Sequence, residues 1–419
     1  MPKRVEALSR TGPAIIVALL TFIAAALRFH GLFAGGLHAD EALFATWARL
    51  VGTWQSPLLS NELVDKPPLL FYVQAVFYPL MGSTEPWVSR LPNLAVSLML
   101  VPLTARLVWN LFSDRLAMVV AAILVCFSPL LVQFSATSFT DPLMTALLLA
   151  SLVFASARSE DGPQRAAVAG LLLGLAIATK YQAVLFVPLH LAIAWVSGYQ
   201  KAQWRRWLVG FFVPLLGLVL WQVARGGGSS LWGQQMESFG GLRLAWSWEL
   251  WPRLEGWADV WGAFLGAPVL AFALLLFSPV FLALLIQHQD RRTAIDQALL
   301  LFLVAYMLLH WFLAVPVWDR YLLPLAPLAA MVVGRFASRV LEFLQPELPV
   351  RATAAAAGAA VVMFILMAPA GMTAREGGFG VGAQQRGPVA AGAVAEELHA
   401  APYGTVLYDH WFSQQWRYY

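Results

Sequence analysis

The sequence predicts an all-α polytopic membrane protein with about 11 or more transmembrane helices. Three observations predict this class. Hydrophobic residues make up 60% of the 419 residues and charged residues only 12%, whereas a soluble domain carries about 25% charged residues. Apolar runs of roughly the length of a spanning helix recur along the whole chain. The charged residues are concentrated in the short links between these runs.

The first apolar run covers 13–33 and follows the basic segment 1–10. It lacks a small-residue cleavage site after a short core, so we expect a retained helix rather than a removed signal peptide. The N-terminus is then expected in the cytoplasm, and the first outer loop, 34–86, on the opposite side. The tryptophans of this loop, Trp47 and Trp54, predict helices lying in the membrane interface.

The apolar stretch 69–81 is too short for a span and predicts an interfacial or re-entrant helix. The later apolar runs are long enough or nearly so, and with the first helix they give 11 predicted spans. They are 87–111, 116–136, 141–157, 165–180, 182–198, 207–224, 259–286, 295–316, 320–338 and 352–371.

The distribution of basic residues tests this assignment. Every predicted inner connection contains Arg or Lys, whereas the outer link 136–140 has neither. Counting 69–81 as a span would place most of the basic clusters outside, against the positive-inside tendency. The assignment therefore predicts that Asp40 lies at the extracytoplasmic face. The inner connections are 113–115, 158–165, 198–206, 287–292 and 335–351.

Three outer segments remain after this division: 225–258, the VWDR link around Asp319 and the C-terminal tail. Segment 225–258 contains GGGSS, and six tryptophans lie between Trp232 and Trp261; a mobile flap and an interface anchor are equally good interpretations. Residues 1–371 form the predicted transmembrane domain. Residues 372–419 form a small extracytoplasmic C-terminal segment, interpretable as a truncated small α/β domain, with a helix expected over 394–400 and a strand over 405–412.

Several classes of protein are excluded or disfavoured. The chain has no GxxxxGK[ST], HExxH or GxSxG motif and no repeat of fixed period. The single Cys126 excludes an internal disulfide. The net charge of +4 is explained by membrane topology, so no nucleic acid partner is expected. Charges are not placed deep in the predicted spans, which argues against an ion-driven transporter.

The chemistry-bearing residues follow the first span. Asp40 and Glu41 are adjacent carboxylates, and Lys66 precedes a Pro-Pro pair that stiffens the chain before its next apolar stretch. Carboxylates and an ammonium group at one membrane face indicate chemistry on a charged, lipid-borne substrate.

Five motifs together carry a family resemblance: HADEALFATWAR (38–49), DKPPLLFY (65–72), EPWVSRLPNLAV (85–96), SFTDPLMTALLLA (138–150) and WDRYLLPLAPLAAMVVG (318–334). The chain resembles the bacterial branch of the protein O-mannosyltransferase and aminoarabinose-transferase-like enzymes of the GT-C superfamily. The resemblance implies an inverting glycosyltransferase in a bacterial plasma or inner membrane. It also implies a polyprenyl-phosphate-linked sugar as donor and an extracytoplasmic acceptor that is a protein, a glycolipid or a glycan.

The resemblance also implies roles for the two adjacent acids. Asp40 matches the family's catalytic carboxylate, which acts as general base on the acceptor hydroxyl; capping of the helix that starts at Glu41 is the alternative. Glu41 matches a second acid that positions acceptor or sugar hydroxyls. Its alternative is a favourable charge in the first turn of a helix.

Further substrate-binding residues follow from the other motifs. Lys66 is expected to hold the lipid phosphate or to act as an interface anchor, and Arg90 to share that phosphate or to mark a membrane boundary. Asp141 matches a family acid that faces the active site, although Thr-Asp-Pro favours Asp141 as a helix N-cap. Arg320 and Tyr321 match the family's Arg-Tyr pattern; Arg320 is expected to bind phosphate or to pair with its neighbouring aspartate.

No cofactor follows with certainty. His38 beside Asp40 permits a divalent metal ion, but no pair of histidines has ligand spacing, which favours an isolated interface histidine. A lipid or sugar-lipid transporter of the same topology, without bond cleavage, is the alternative function, and a non-catalytic scaffold is the third.

Overall fold

The computed structural model describes residues 2–156, 162–226, 243–287, 290–344, 349–382, 391–402 and 413–419. Within these ranges the regular secondary structure is helical, apart from one isolated bridge between Leu244 and Leu313. The helix expected over 394–400 is present as Ala391–His399. The strand expected over 405–412 lies outside the described residues.

The helices of the described ranges are numbered here in chain order. They are α1 Pro2–Phe29, α2 Ala39–Gly52, α3 Leu69–Met81, α4 Pro86–Phe112, α5 Arg115–Phe127, α6 Pro129–Gln133, α7 Thr140–Ala155, α8 Pro163–Thr179, α9 Val187–Val196, α10 Lys201–Ala224, α11 Ser247–Leu265, α12 Pro268–Gln287, α13 Arg291–Phe312, α14 Ala326–Leu344, α15 Pro349–Arg375, α16 Ala391–His399 and α17 Ser413–Tyr418. Three 3-10 helices, His30–Phe33, Tyr181–Phe186 and Asp319–Leu325, precede a loop, α9 and α14 respectively.

The membrane class is confirmed. Seven helical stretches of the described residues are long and apolar enough to cross a bilayer, and five further apolar helices are shorter. The prediction of a short helix over 69–81 is confirmed by α3.

Two predicted spans were wrong in extent. The apolar run 116–136 is divided into α5 and α6 because Pro129 has no N–H with which to continue the helix. The run 259–286 is divided into α11 and α12 because Gly266 takes a positive φ of 66° and Pro268 starts a new helix. Hydropathy does not detect such breaks, since both sides of each break are apolar.

Two close contacts fix the bundle. Helix α10 packs on α8 at paired glycines, where a Cβ on Gly170 would lie 2.1 Å from the Trp207 carbonyl oxygen and one on Gly210 would lie 2.0 Å from that of Ala167. Backbones approach this closely only where side chains are absent. Elsewhere the buried Arg28 of α1 donates to the carbonyls of Ser97 and Val125, and the Val125 carbonyl has no helical partner because Pro129 follows four residues later.

Charged residues gather at the two opposite ends of the helix bundle. The starts of α2, α4 and α7 and the 3-10 helix before α14 meet at one end, called here the Asp40 end. Asp114 at the start of α5, Asp290 before α13 and Arg335 within α14 meet at the other, called the Arg335 end. Helix α4 spans the distance between them and has 27 residues, which corresponds to about 40 Å.

Candidate active site

The start of α2 presents the Asp40 side chain without using it as a cap. His38 is the N-cap: its Nδ1 accepts from the Asp40 backbone N–H at 3.2 Å, while Glu41 accepts from the His38 N–H at 3.1 Å. This is a capping box. Burial lowers the pKa of His38, so the imidazole stays neutral at pH 7 and keeps an acceptor nitrogen. The alternative in which Asp40 caps this helix was therefore wrong.

Asp40 contacts Arg320, which lies 280 residues further along the chain. Arg320 Nη1 donates to Asp40 Oδ2 at 2.8 Å. The Asp40 side chain is 37% exposed and that of Arg320 only 7%. Burial alone would raise the pKa of Asp40. The charge and the hydrogen bond of Arg320 lower the pKa by more than burial raises it, so the pKa lies below its ordinary value of 3.8. Asp40 is therefore an ionised, solvent-accessible carboxylate at neutral pH.

The Arg320 guanidinium is held by aromatic rings and keeps free donor capacity. It lies 4.2 Å from the ring centre of Trp318 and 4.9 Å from that of Phe139. Its Nε is buried and has no hydrogen-bond partner among the described residues. A planar cation with an unused N–H group beside an accessible carboxylate suits an incoming phosphate oxygen.

A second ion pair joins Asp141 to Lys180. Lys180 Nζ donates to Asp141 Oδ1 at 2.5 Å, and the ammonium lies 4.6 Å from the ring centre of Tyr321. The prediction of Asp141 as an N-cap was wrong: Phe139 occupies the cap position and α7 has no side-chain cap, because the Asp141 carboxylate turns towards Lys180 instead. The Tyr321 carbonyl is fixed by the hydroxyl of Tyr306 at 2.9 Å.

Lys180 is a site residue that the sequence analysis missed. It is the last residue of the predicted span 165–180 and the only charged residue of 166–200. That isolation was the available signal, since a lone lysine at the junction of two spans needs a charged partner or access to water. Its partner, however, lies on another helix.

Lys66 lies in the same electrostatic environment. Its ammonium pairs with Asp65 and is 20% exposed. The charge of Lys66 also lowers the pKa of Asp40, after the larger effects of burial, Arg320 and His38. Asp40, Lys66 and Arg320, named among the candidates from sequence, are thus brought together with Asp141 and Lys180. These five residues are called the site cluster below.

Glu41 and Arg90 lie behind this cluster. Glu41 is fully buried and accepts from the backbone N–H of Ser138 at 2.8 Å, and Arg90 lies 3.4 Å from its carboxylate. Arg90 also donates to the carbonyls of Ala34 and Gly36, both at 2.9 Å. The pair therefore fixes the loop that leads into α2.

No group of three or more His, Cys, Asp and Glu side chains among the described residues is arranged to hold a metal ion. Within that part of the chain, cations from Arg and Lys side chains supply the positive charge next to Asp40.

The aspartate beside Arg320 is held by backbone groups. Asp319 accepts from the backbone N–H of Arg320 at 2.8 Å and from that of Gly382 in the C-terminal segment. Arg320 was predicted to pair with this neighbouring aspartate. Its hydrogen bond to Asp319 comes from the backbone N–H, because its guanidinium binds Asp40 instead.

Residues 65–223 match the profile of the family described as dolichyl-phosphate-mannose-protein mannosyltransferase. A comparison with curated proteins gave no match. Among solved structures, ArnT from Cupriavidus metallidurans bound to undecaprenyl phosphate has a TM-score of 0.58 at 16% identity, over 88% of this chain and 73% of ArnT.

The oligosaccharyltransferase of Archaeoglobus fulgidus tethered with an acceptor peptide gives a TM-score of 0.56 at 12% identity. AglB from the same organism, in complex with an inhibitory peptide and a dolichol-phosphate, gives 0.54 at 13% identity. The chain spans 58% and 59% of these two proteins and 95% of its own length is covered in each case. The chain therefore resembles this mannosyltransferase family over residues 65–223 and shares its helical fold with these membrane proteins.

Proposed function

We propose that the protein is an inverting glycosyltransferase that moves a sugar from a polyprenyl-phosphate donor to an acceptor hydroxyl, with Asp40 as general base. One observation carries this proposal: an accessible, ionised Asp40 lies 2.8 Å from a buried arginine that keeps an unused N–H. A base and a phosphate-binding cation are the two groups that such a transfer requires.

The proposed reaction is a single displacement at C1 of the sugar. The acceptor oxygen attacks C1 of the sugar from the face opposite the phosphate, the C1–O bond to phosphate breaks, and polyprenyl phosphate leaves. The acceptor proton passes to Asp40. Because the leaving group is already a phosphate, it requires charge stabilisation rather than a general acid.

The donor phosphate is proposed to replace carboxylates as the binding partner of the cations in the site cluster. Arg320 is bound by Asp40, Lys66 by Asp65 and Lys180 by Asp141. When a phosphate takes over hydrogen bonds from Arg320 and Lys66, Asp40 loses its main counter-ion and becomes free to accept a proton. We assign Asp141 and Tyr321 to holding Lys180 at this phosphate, and Glu41 and Arg90 to positioning α2.

A lateral groove beside Lys180 is proposed to hold the start of the polyprenyl chain. It has a volume of about 430 Å³ and a nearly all-apolar lining. Two lining residues, Ile177 and Tyr181, lie within three positions of Lys180 in sequence, so we place the start of the polyprenyl chain beside the Asp141–Lys180 pair. ArnT binds undecaprenyl phosphate and AglB binds a dolichol-phosphate in their solved structures, which supports a donor of this class. The lining includes Ile177, Tyr181, Val184, Phe211, Leu215 and Val219.

The Asp40 end is proposed to face the extracytoplasmic side of a bacterial plasma or inner membrane. The basic links of the chain support this orientation. The acceptor is then a protein, a glycolipid or a glycan on that side, and residues 1–371 act as the catalytic domain with 372–419 as an extracytoplasmic segment.

The test is incubation of the purified protein in lipid nanodiscs with a panel of undecaprenyl-phosphate sugars and candidate acceptors. Mass spectrometry is expected to detect free undecaprenyl phosphate and glycosylated acceptor in about equal amounts, with nuclear magnetic resonance showing an inverted anomeric centre. Empty nanodiscs are the control. Passage of the intact donor across the bilayer without bond cleavage would overturn the proposal in favour of a transporter.

A further inference from the structure

The C-terminal helix α17 contacts the helix that carries Asp40. Arg49, on α2, donates from Nη1 to the Tyr418 carbonyl at 2.6 Å and from Nη2 to the Arg417 carbonyl at 3.2 Å. Its guanidinium lies 4.7 Å from the ring centre of Tyr418. Since the last carbonyls of a helix lack helical partners, Arg49 satisfies the end of α17 and joins it to α2.

The Tyr418 side chain inserts beneath α2. It is 2% exposed and packs with Leu37, Ala42 and Ala45. Its hydroxyl donates to the Thr84 carbonyl at 2.7 Å. Residues on both sides of Asp40 in sequence, as well as the link before α4, are therefore held by one side chain of α17.

A second contact reaches the loop that carries Lys66. Arg417 Nη2 lies 2.6 Å from Glu62 Oε1, and the Glu62 carbonyl accepts from Arg225 of the α10 end, also at 2.6 Å. Glu62 precedes Lys66 by four residues, and Val64 between them is buried. This loop has no helix of its own to hold it, so its position depends on such contacts.

We propose that α17 is a positioning element of the donor site, acting through Glu62 on Lys66 and through Arg49 and Tyr418 on the start of α2. The inference rests on the proposed function. The inference extends the proposed function because α17 is remote in sequence from every motif of the transferase and touches no group assigned to chemistry.

The test measures binding of undecaprenyl phosphate to the protein in nanodiscs. Arg417→Glu places like charges together at Glu62, so the loop that carries Lys66 is expected to shift and the affinity to fall about ten-fold, which is about 1.4 kcal/mol. The charge swap Glu62→Arg with Arg417→Glu restores the ion pair and is expected to restore the affinity. Undecaprenol, which lacks the phosphate, is expected to bind all variants equally.

The matched control is Glu396→Gln, an exposed change in α16 of the same C-terminal segment. Arg417 is itself 46% exposed, so Arg417→Glu is expected to keep the wild-type melting temperature. Unchanged affinity in Arg417→Glu, or failure of the charge swap to restore it, would overturn the inference alone. Failure of wild-type protein to bind undecaprenyl phosphate would overturn the proposed function instead.

Discussion

The two charged ends of the bundle use the same residue types in different ways. At the Arg335 end, Arg335 binds both oxygens of Asp296 at 3.0 and 2.9 Å and takes Asp114 at 2.6 Å. The side chains of Arg335 and Asp296 are each 2% exposed. Each of the three nitrogens of this arginine has a carboxylate partner, and the side chain lies away from water.

At the Asp40 end the pairs are less complete. Among the described residues, Arg320 meets Asp40 through one nitrogen, Lys66 meets Asp65 and Lys180 meets Asp141. Asp40 is 37% exposed, whereas Asp114 is 10% exposed. Every nitrogen of Arg335 has a partner, whereas Arg320 binds Asp40 through one nitrogen. The number of donors that already have partners, rather than the presence of charge, distinguishes a structural ion pair from one that is able to receive a ligand.

The largest expected effect is on turnover. Asp40→Asn keeps the shape of the side chain but removes the base, so release of undecaprenyl phosphate is expected to slow about a thousand-fold. Because the Asp40 pair is partly exposed, thermal stability is expected to stay close to that of the wild type. Asp259→Asn, an exposed change on α11, is the control. Turnover within ten-fold of wild type would remove Asp40 from the mechanism.

The reverse result is expected at the Arg335 end. Asp296→Ala leaves a buried arginine with one carboxylate fewer and is expected to cost about 3 kcal/mol of stability, measured by tryptophan fluorescence during thermal unfolding. Affinity for undecaprenyl phosphate is expected to be unchanged in the folded fraction. The triple variant Asp296→Leu, Arg335→Met and Asp114→Asn removes all three charges and should lose less stability than Asp296→Ala. A larger loss in the triple variant would contradict this account.

Arg320→Lys tests whether the planar guanidinium matters at the Asp40 end. A lysine keeps the charge but loses the fork of donors and the stacking on Trp318 and Phe139. Affinity for undecaprenyl phosphate is expected to fall about ten-fold, which is about 1.4 kcal/mol, by isothermal titration calorimetry. Arg339→Lys at the Arg335 end is the matched change and should leave affinity unaltered. Equal affinities in both variants would show that Arg320 does not hold the phosphate.

The smallest expected effect concerns pH. The pKa of Asp40 lies below its ordinary value of 3.8, so the carboxylate stays ionised at all higher pH and its function is lost only as the pH falls through the lowered pKa. Values of kcat/KM, which report ionisation in the free protein, are therefore expected to vary less than about two-fold through Asp40 between about pH 5 and pH 8. A ten-fold fall towards pH 5 would be evidence against the low pKa.

The sequence placed most helices well and misjudged their interruptions. Spans such as 87–111 and 207–224 coincide with α4 and α10, since apolar run length is a local property. The break after Ser128 depends on one proline in an unbroken apolar run. The capping of α2 by His38 was also missed, because serine, threonine, asparagine and aspartate are the usual caps.

The site residues divide in the same way. Asp40, Lys66 and Arg320 were identified from charges next to apolar runs and from the family motifs. Lys180 was not, because its role depends on Asp141, 39 residues away in sequence. The roles of Glu41 and Arg90 also depended on the burial of their side chains, which cannot be read from the sequence.

By itself, the sequence determined that this protein is a helical membrane protein and where its charges interrupt the apolar runs, since hydropathy and charge belong to the residues themselves. Only the tertiary structure decided which charges meet. Arg320 reaches Asp40 across 280 residues because the packing of α2 beside the turn before α14 brings them together. Packing likewise decided that each nitrogen of Arg335 has a carboxylate partner, whereas Arg320 Nε has no hydrogen-bond partner among the described residues.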